Sequence, residues 1–453
     1  MYFGILKTNI SMALKKDLTL TGLTMIAIGA CIGSGIFVTP ASTMEAVGHH
    51  GWVLLIWAIG GLVTFLGAMT FSELGARYPK SGGVYVYLKE AYGDIFGFLY
   101  GWIILLIVNT GALAALATVF ANYVEFFVEL SATSKYIISI GTIIGLTLIN
   151  VIGVNISQIF ATVFTSLKLI ALLIIIVIGL YFWPTTSVET NMNLMSHTPD
   201  NLLQGILVGF VGVFWSFGGW HHATYLSGET KNPQRNVPKA MLMGTLAVTT
   251  VYLLVIFAYM QLISGSDMVL SEKIAGDAMA QVITGGGKLV TIAITISIFG
   301  TIGIYTMTAP RIYHAMAKDG LFFDNLAKLH PKYHTPYVAM LLQMVWACVL
   351  ILIWGTFHNL MTFVTFMDII FMALATGSIF IFRCRDKEND VEPAYKLGAY
   401  PIVPIIYLLV TIAFVVNTLI ALPAQSWAGV GILLIGVPAF YYFKRNSEKE
   451  TKR

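Results

Sequence analysis

Gly33-Ser34-Gly35-Ile36-Phe37 interrupts the first long apolar run of the chain, and Phe217-Gly218-Gly219-Trp220 interrupts the sixth. A helix in hydrocarbon must satisfy its backbone hydrogen bonds internally. Glycines at mid-depth weaken that bonding, so such a break persists where the freed backbone lines something. Gly218 follows Gly33 by 185 positions. The apolar runs that hold the two breaks begin near residues 20 and 202, almost the same distance apart. Breaks at corresponding places in two halves of a chain point to a binding site between inverted repeats. Contact between helices through small residues is the plainer explanation of one glycine pair; the repeat-related spacing argues for a site.

Composition sets the solvent. Of 453 residues, 57% are hydrophobic and 11% charged, with mean hydropathy +0.81. Soluble domains carry roughly 25% charged residues, so this chain belongs in a bilayer. The net charge of +4 is mild and gives no footprint for nucleic acid. No GxxxxGK[ST] loop and no dinucleotide fingerprint occurs. Cys31, Cys348 and Cys384 lack CxxC spacing and read as small apolar filler. We expect no cofactor and no metal. The first apolar run has no small-residue cleavage site after it and reads as a retained helix, not a signal peptide.

Twelve runs are long enough to span: 20–46, 51–75, 92–127, 136–154, 157–183, 202–228, 238–263, 288–317, 337–355, 358–382, 401–421 and 427–443. With a cytoplasmic N-terminus, every Lys and Arg except Lys135, Lys168, Lys273 and Lys288 falls in a cytoplasmic segment. The positive-inside rule then puts both termini inside. The expected organisation is a cytoplasmic N-terminus (1–19), a first inverted repeat of helices 1–5 (20–183) and an external loop (184–201). A second repeat of helices 6–10 (202–382) follows, then helices 11 and 12 with their preceding loop (383–443) and a cytoplasmic tail (444–453). An odd number of spans per repeat inverts the second relative to the first. The fold class is an all-α membrane protein with 12 transmembrane helices in a 5+5 inverted repeat, discontinuous at helices 1 and 6.

The breaks carry the chemistry. Unpaired N–H groups of Ile32, Gly33, Ser34, Gly35 and Ile36 would form an anion site at a half-helix N-terminus, fit for a carboxylate. Carbonyls ending the preceding half-helices suit an ammonium. Together they match a zwitterion, an α-amino acid above all. Lys168 lies about a dozen residues from either end of its span, where a charge is functional by default. It reads as a fixed cation tying helix 5 to the broken helix 1, or as a group that exchanges a proton. Asp368 is an acid within helix 10, with a pore role or a place at the outer rim equally open. His221 and His222 follow the second break. Helical neighbours diverge by about 100°, so one of them is expected to reach substrate or titrate while the other packs. Phe217 and Trp220 flank the break, as gates or as core. No acid adjoins either break in sequence, which disfavours lysine or arginine as substrate.

Several segments are highly specific together. They are GSGIF (33–37), YPKSGGVYVYLKEAYGDIFGFLYGW (78–102), SFGGW (216–220), GETKNPQRNVPKA (228–240) and APRIYHAMAKDGLF (309–322). Over nearly the whole chain this pattern resembles the L-type amino acid transporter family of the amino acid–polyamine–organocation superfamily. The resemblance implies a leucine-transporter-like fold. It implies carboxylate binding by the backbone of Ile32 to Ile36, and amino-group binding and side-chain shaping by Phe217 to Trp220. In several bacterial members a lysine like Lys168 replaces the sodium ion of sodium-coupled relatives, which argues against sodium coupling. A tyrosine of helix 7, best matched by Tyr259, contributes near that site. The chain departs from the family's pattern at Ile256, Gly303 and His221.

The expected function is alternating-access transport of neutral L-amino acids, not catalysis. Sodium-independent exchange (antiport) is the first reading and proton-coupled symport the alternative. A non-transporting membrane sensor is the competing class, disfavoured because no soluble domain is appended. The expected partners are the amino acid and the lipid bilayer, with no nucleic acid. Residues 128–135 lack the cysteine by which animal relatives bind a heavy subunit, so no disulfide-linked partner is expected. That absence and the short termini lead to a bacterial inner membrane as the expected location.

Overall fold

The computed structural model describes residues 14–183, 188, 190, 192–194, 202–271, 273–353, 357–389 and 392–451. Residues 1–13 of the expected N-terminal segment and most of the expected loop 184–201 lie outside these. The chain is all-helical, 82% helix, with no strand among the described residues. Its helices are α1 (Leu20–Cys31), α2 (Gly35–Val47), α3 (His50–Arg77), α4 (Val84–Tyr92), α5 (Asp94–Ile103), α6 (Asn109–Glu125), α7 (Ala132–Val151) and α8 (Val154–Phe182). There follow α9 (Leu202–Phe217), α10 (His222–Tyr225), α11 (Pro233–Leu262), α12 (Gly265–Leu270), α13 (Ile274–Ala280), α14 (Gly286–Thr308) and α15 (Pro310–Lys318). The last are α16 (Tyr337–Ile353), α17 (Phe357–Asn389), α18 (Ile402–Ala421) and α19 (Pro423–Thr451).

Ten helical stretches among the described residues are long and apolar enough to cross a membrane; α9 and α16 are apolar but shorter. The expected run 202–228 is not one span, because α9 stops at Phe217 before Gly218 and Gly219. The run 92–127 starts instead at Asp94, because Gly93 adopts φ +96° and separates the amphipathic α4 from α5. Elsewhere the helices outlast their apolar runs. α11 begins at Pro233, a residue suited to a first helical position, and α17 continues into charged residues to Asn389. Hydropathy marks the slab a helix crosses, and caps mark where it ends. The side-chain oxygen of Thr19 accepts from the Gly22 N–H to start α1, and Ser131 does the same for Ser134 to start α7.

Burial is graded outward. Most of the α1–α2 and α5–α6 spans is buried, whereas α7, α8, α18 and α19 are mostly uncovered. What they expose is apolar: Leu148, Ile159, Ile170, Leu173, Leu409 and Leu434. In water such a surface would aggregate; in lipid it is satisfied. The centre is α1–α2, flanked by α8, α9, α11 and α14.

Candidate functional site

The first break comprises residues 32–34. Ile32 leaves the helical region at φ −77°, ψ 82°, and α2 starts at Gly35. The Ile32 N–H still donates to the Ile28 carbonyl (2.9 Å), and the Gly33 N–H to Cys31 (2.8 Å). The expected donor set therefore shrinks. Among the described residues the N–H groups of Ser34, Gly35 and Ile36 meet no backbone acceptor, while that of Phe37 donates to Ser34. The Ser34 hydroxyl is buried beside them with no partner. Three N–H groups and a hydroxyl are thus left without a partner at the positive end of α2, an arrangement suited to an anion.

The second break is pressed against the first. Gly219 has φ +101°, and a Cβ there would stand 2.8 Å from the carbonyl carbon and oxygen of Ala30. A Cβ on Gly35 would meet Ser216 at 2.4 Å. Only glycine allows these backbones to approach so closely. Polar contacts hold the approach: Thr39 Oγ1 lies 2.8 Å from Ser216 Oγ, and Cys31 Sγ donates to the Phe217 carbonyl at 3.5 Å. Cys31 is thus more than filler. The Tyr252 hydroxyl lies 2.9 Å from the Cys31 carbonyl and 3.0 Å from that of Ser216, bridging the ends of α1 and α9. Tyr259, the tyrosine expected near the Lys168 site, is buried with no partner for its hydroxyl. The two tyrosines are seven positions apart in α11, a spacing that keeps them on one helix face, so pattern alone could not choose between them.

Lys168 is completely buried. Its Nζ donates to the carbonyls of Gly29 (3.0 Å) and Ile32 (2.6 Å) and to Thr301 Oγ1 (2.8 Å). All three ammonium protons are used, two of them on carbonyls that end α1, where the helix dipole is negative. Thr301 and Ser297 of α14 complete the shell, each within 3.4 Å of the Ile32 carbonyl. Neither was visible in the sequence, because hydroxyls within apolar helices ordinarily bond their own backbone.

A cavity of about 30 Å³ borders the second break, lined by Ala112, Phe214, Gly218, Gly219, Tyr305 and Val364, with His221, His222, Thr365 and Asp368 as its polar members. A neighbouring cavity of about 20 Å³ adds Phe217, Trp220 and Tyr407. Residues 32–36 line neither. Asp368, for which the sequence leaves a pore role and a place at the rim both open, lines both cavities beside Gly218. The acid absent from the breaks in sequence is therefore present there in space. Both histidines border one cavity, because His221 belongs to the turn and only His222 to the short α10. His222 Nδ1 lies 2.7 Å from Thr308 Oγ1, and His221 Nε2 lies 3.9 Å from Asp368 Oδ1. Phe217 and Trp220 are buried and ring-packed, Phe217 on Tyr252 (5.1 Å) and Trp220 on Phe71 (4.9 Å).

The motif-rich loops form a layer of ion pairs at the basic end of the bundle. Glu229 and Arg311 are buried and paired through two bonds, 2.7 and 2.9 Å. Glu73 accepts from Arg77, from Arg383 (2.6 and 3.0 Å) and from the Leu397 N–H. Asp319 joins Lys89 and the Tyr85 hydroxyl, both at 2.7 Å. Burial and the Asp319 carboxylate push the Tyr85 phenol up from its ordinary value, which keeps it a donor. Leu18 lies across this layer, pairing with the backbone of Glu229 and Lys231.

Comparison with known proteins agrees with this geometry. The profile of the amino acid permease family matches residues 18–440. The serine/threonine exchanger SteT of Bacillus subtilis (strain 168) is 31% identical, the match covering 95% of this chain and 98% of that protein. The large neutral amino acids transporter small subunit 2 of Homo sapiens is 30% identical, covering 95% and 80%. The Asc-type amino acid transporter 1 of Mus musculus is 30% identical, covering 95% and 81%. With paired helix breaks, a buried lysine behind one of them and these matches along its length, the chain belongs to the amino acid permease family of the amino acid–polyamine–organocation superfamily, a family of multi-pass membrane transporters and not of enzymes.

Proposed function

We propose that this chain exchanges neutral L-amino acids across a cytoplasmic membrane, without sodium, by alternating access between two inverted five-helix repeats. The observation that carries the reading is the contact of the two breaks. Free N–H groups of Ser34, Gly35 and Ile36 suit a carboxylate, and the carbonyl ends of α1 and α9 meet beside them, that of Ser216 with a second lone pair beyond its present bond. Such a pair complements a zwitterion. Packing supports the repeat. The contacts α1 with α8, α1 with α11, α7 with α14 and α8 with α14 each have a counterpart when every helix is exchanged for its repeat mate: α9 with α17, α9 with α3, α16 with α6 and α17 with α6.

Lys168 supports sodium independence, since its ammonium occupies the carbonyl and hydroxyl cage that a monovalent cation would need. The relatives supply the rest of the reading: one is named an exchanger of serine and threonine, another a transporter of large neutral amino acids. Cytoplasmic termini follow from the basic residues of the ion-pair layer. Cys348 and Cys384, the cysteines outside the core, lie away from 128–135, so assembly without a disulfide-linked heavy subunit is expected. The second reading, proton symport, is favoured by one observation: His221 and Asp368 are titratable groups lining the cavity.

Uptake of labelled neutral amino acids into proteoliposomes, empty or preloaded, without a pH gradient, tests both. Uptake confined to preloaded vesicles is the expected result. Uptake into empty vesicles that grows with external acidification would replace exchange by symport. No uptake in either would remove the substrate class.

A further inference from the structure

Val364, Thr365, Asp368 and Ile369 lie on one face of α17 and reach the cavity beside Gly218 and Gly219. Two of these residues have unmet hydrogen-bonding capacity. Asp368 Oδ1 and Thr365 Oγ1 are buried and bond to nothing. The Asp368 side chain keeps 15% of its surface exposed, and His221, the closest group of opposite tendency, stops at 3.9 Å, beyond hydrogen-bond reach. No lysine or arginine lines either cavity, and Lys168 is spent on α1. The rest of the wall is mostly apolar, with Val108, Ala112, Phe214 and Ile369, and includes Tyr305 and His222, whose Nδ1 is taken up by Thr308.

A carboxyl oxygen and a hydroxyl left unpartnered in such a wall are costly unless a ligand supplies what they lack. Protein side chains do not supply it, and the cavity opens on the break where substrate is expected. The free space of about 30 Å³ exceeds the roughly 10–15 Å³ that one water-sized group needs, so it admits the tip of a short side chain.

We propose that Asp368, with Thr365 beside it, is the specificity determinant for the substrate side chain, selecting short side chains that end in a hydrogen-bond donor, hydroxyl or amide, over aliphatic ones of the same shape. This rests on the exchange reading above and names the substrate class for that same site. A pocket built to pair a polar group rejects the isostere lacking it far more strongly than an apolar pocket rejects a size mismatch.

The test compares threonine with valine, which differ by hydroxyl against methyl, in preloaded proteoliposomes. Wild-type kcat/KM is expected to favour threonine by about tenfold or more. Asp368→Ala is expected to bring the ratio to within about twofold of unity, with Asp368→Asn, which keeps an acceptor, in between. Ratios taken in the same vesicles cancel differences in the amount of folded carrier. A wild-type ratio near one overturns the proposal without any variant. An unchanged ratio in either folded variant also overturns it. If neither amino acid moves in wild type, the exchange reading fails first, recognisable because valine is lost as well.

Discussion

The Lys168 ammonium lies 2.6 Å from the Ile32 carbonyl, where α1 ends and the first break begins. One side chain from α8 thereby fixes the orientation of the peptide that precedes the anion-binding N–H groups. The chain could have ended α1 in water or on a bound ion; it ends it on a covalently attached cation.

Lys168→Met keeps most of the unbranched stem and removes the ammonium and its charge. The carbonyls of Gly29 and Ile32 are then left to the hydroxyls of Thr301 and Ser297, and each acceptor that goes unmet costs about 1–3 kcal/mol if no water replaces the ammonium. Exchange is expected to fall at least tenfold, with a lower melting temperature in detergent. Lys168→Arg is not expected to rescue, because a planar guanidinium does not match a compact three-acceptor cage. Full activity in Lys168→Met would remove the lysine from the account.

Tyr252 and Tyr259 separate by substitution. Tyr252→Phe leaves the Cys31 and Ser216 carbonyls without their shared donor, and a loss of about 1–3 kcal/mol in stability with slower exchange is expected. Tyr259→Phe removes a hydroxyl that bonds to nothing and is expected to be near neutral in both measurements. Equal effects in the two variants would mean that the Tyr252 bridge is incidental.

Much of this was legible before any coordinates, for identifiable reasons. Gly33, Gly35, Gly218 and Gly219 announce themselves because hydrocarbon punishes a weakened helix, and Lys168 because hydrocarbon punishes a charge. The placement of Asp368 was not legible. Its position along α17 gave only a depth, and which face of α17 meets the second break is a property of helix packing. The helical angle separates His221 from His222 only within one helix; His221 lies in the turn before α10, and both border one cavity. The ion-pair layer was legible as texture, but that Glu229 chooses Arg311, 82 positions away, is tertiary information.

Gly219→Ala is expected to be among the most damaging methyl additions in the chain. The position has φ +101°, and the new Cβ would stand 2.8 Å from the Ala30 backbone, which has no rotamer to move. Strain of about 1–3 kcal/mol from the backbone alone, plus displacement of the first break, predicts loss of exchange and a lower melting temperature. Gly141→Ala is the control: it lies within α7 and a Cβ there meets nothing within 4 Å. Helix propensity favours alanine by about 1 kcal/mol, so this variant should equal or exceed wild type in stability.

Glu229 and Arg311 provide a test of what buried charge does at the basic end of the bundle. Arg311 is fully buried and also donates to the Met307 carbonyl, while the Glu229 backbone receives Leu18. Arg311→Met alone leaves a buried carboxylate uncompensated, and a loss of about 3–5 kcal/mol is expected. Glu229→Leu alone strands the guanidinium and should cost a similar amount. The double variant removes both charges, and most of the loss should return, because the desolvation that the pair suffers in wild type disappears with it. Thermal unfolding of the four proteins in one detergent measures the coupling. Additive losses would mean that the two side chains stabilise the layer separately, Arg311 through its bond to the Met307 carbonyl, and not through each other.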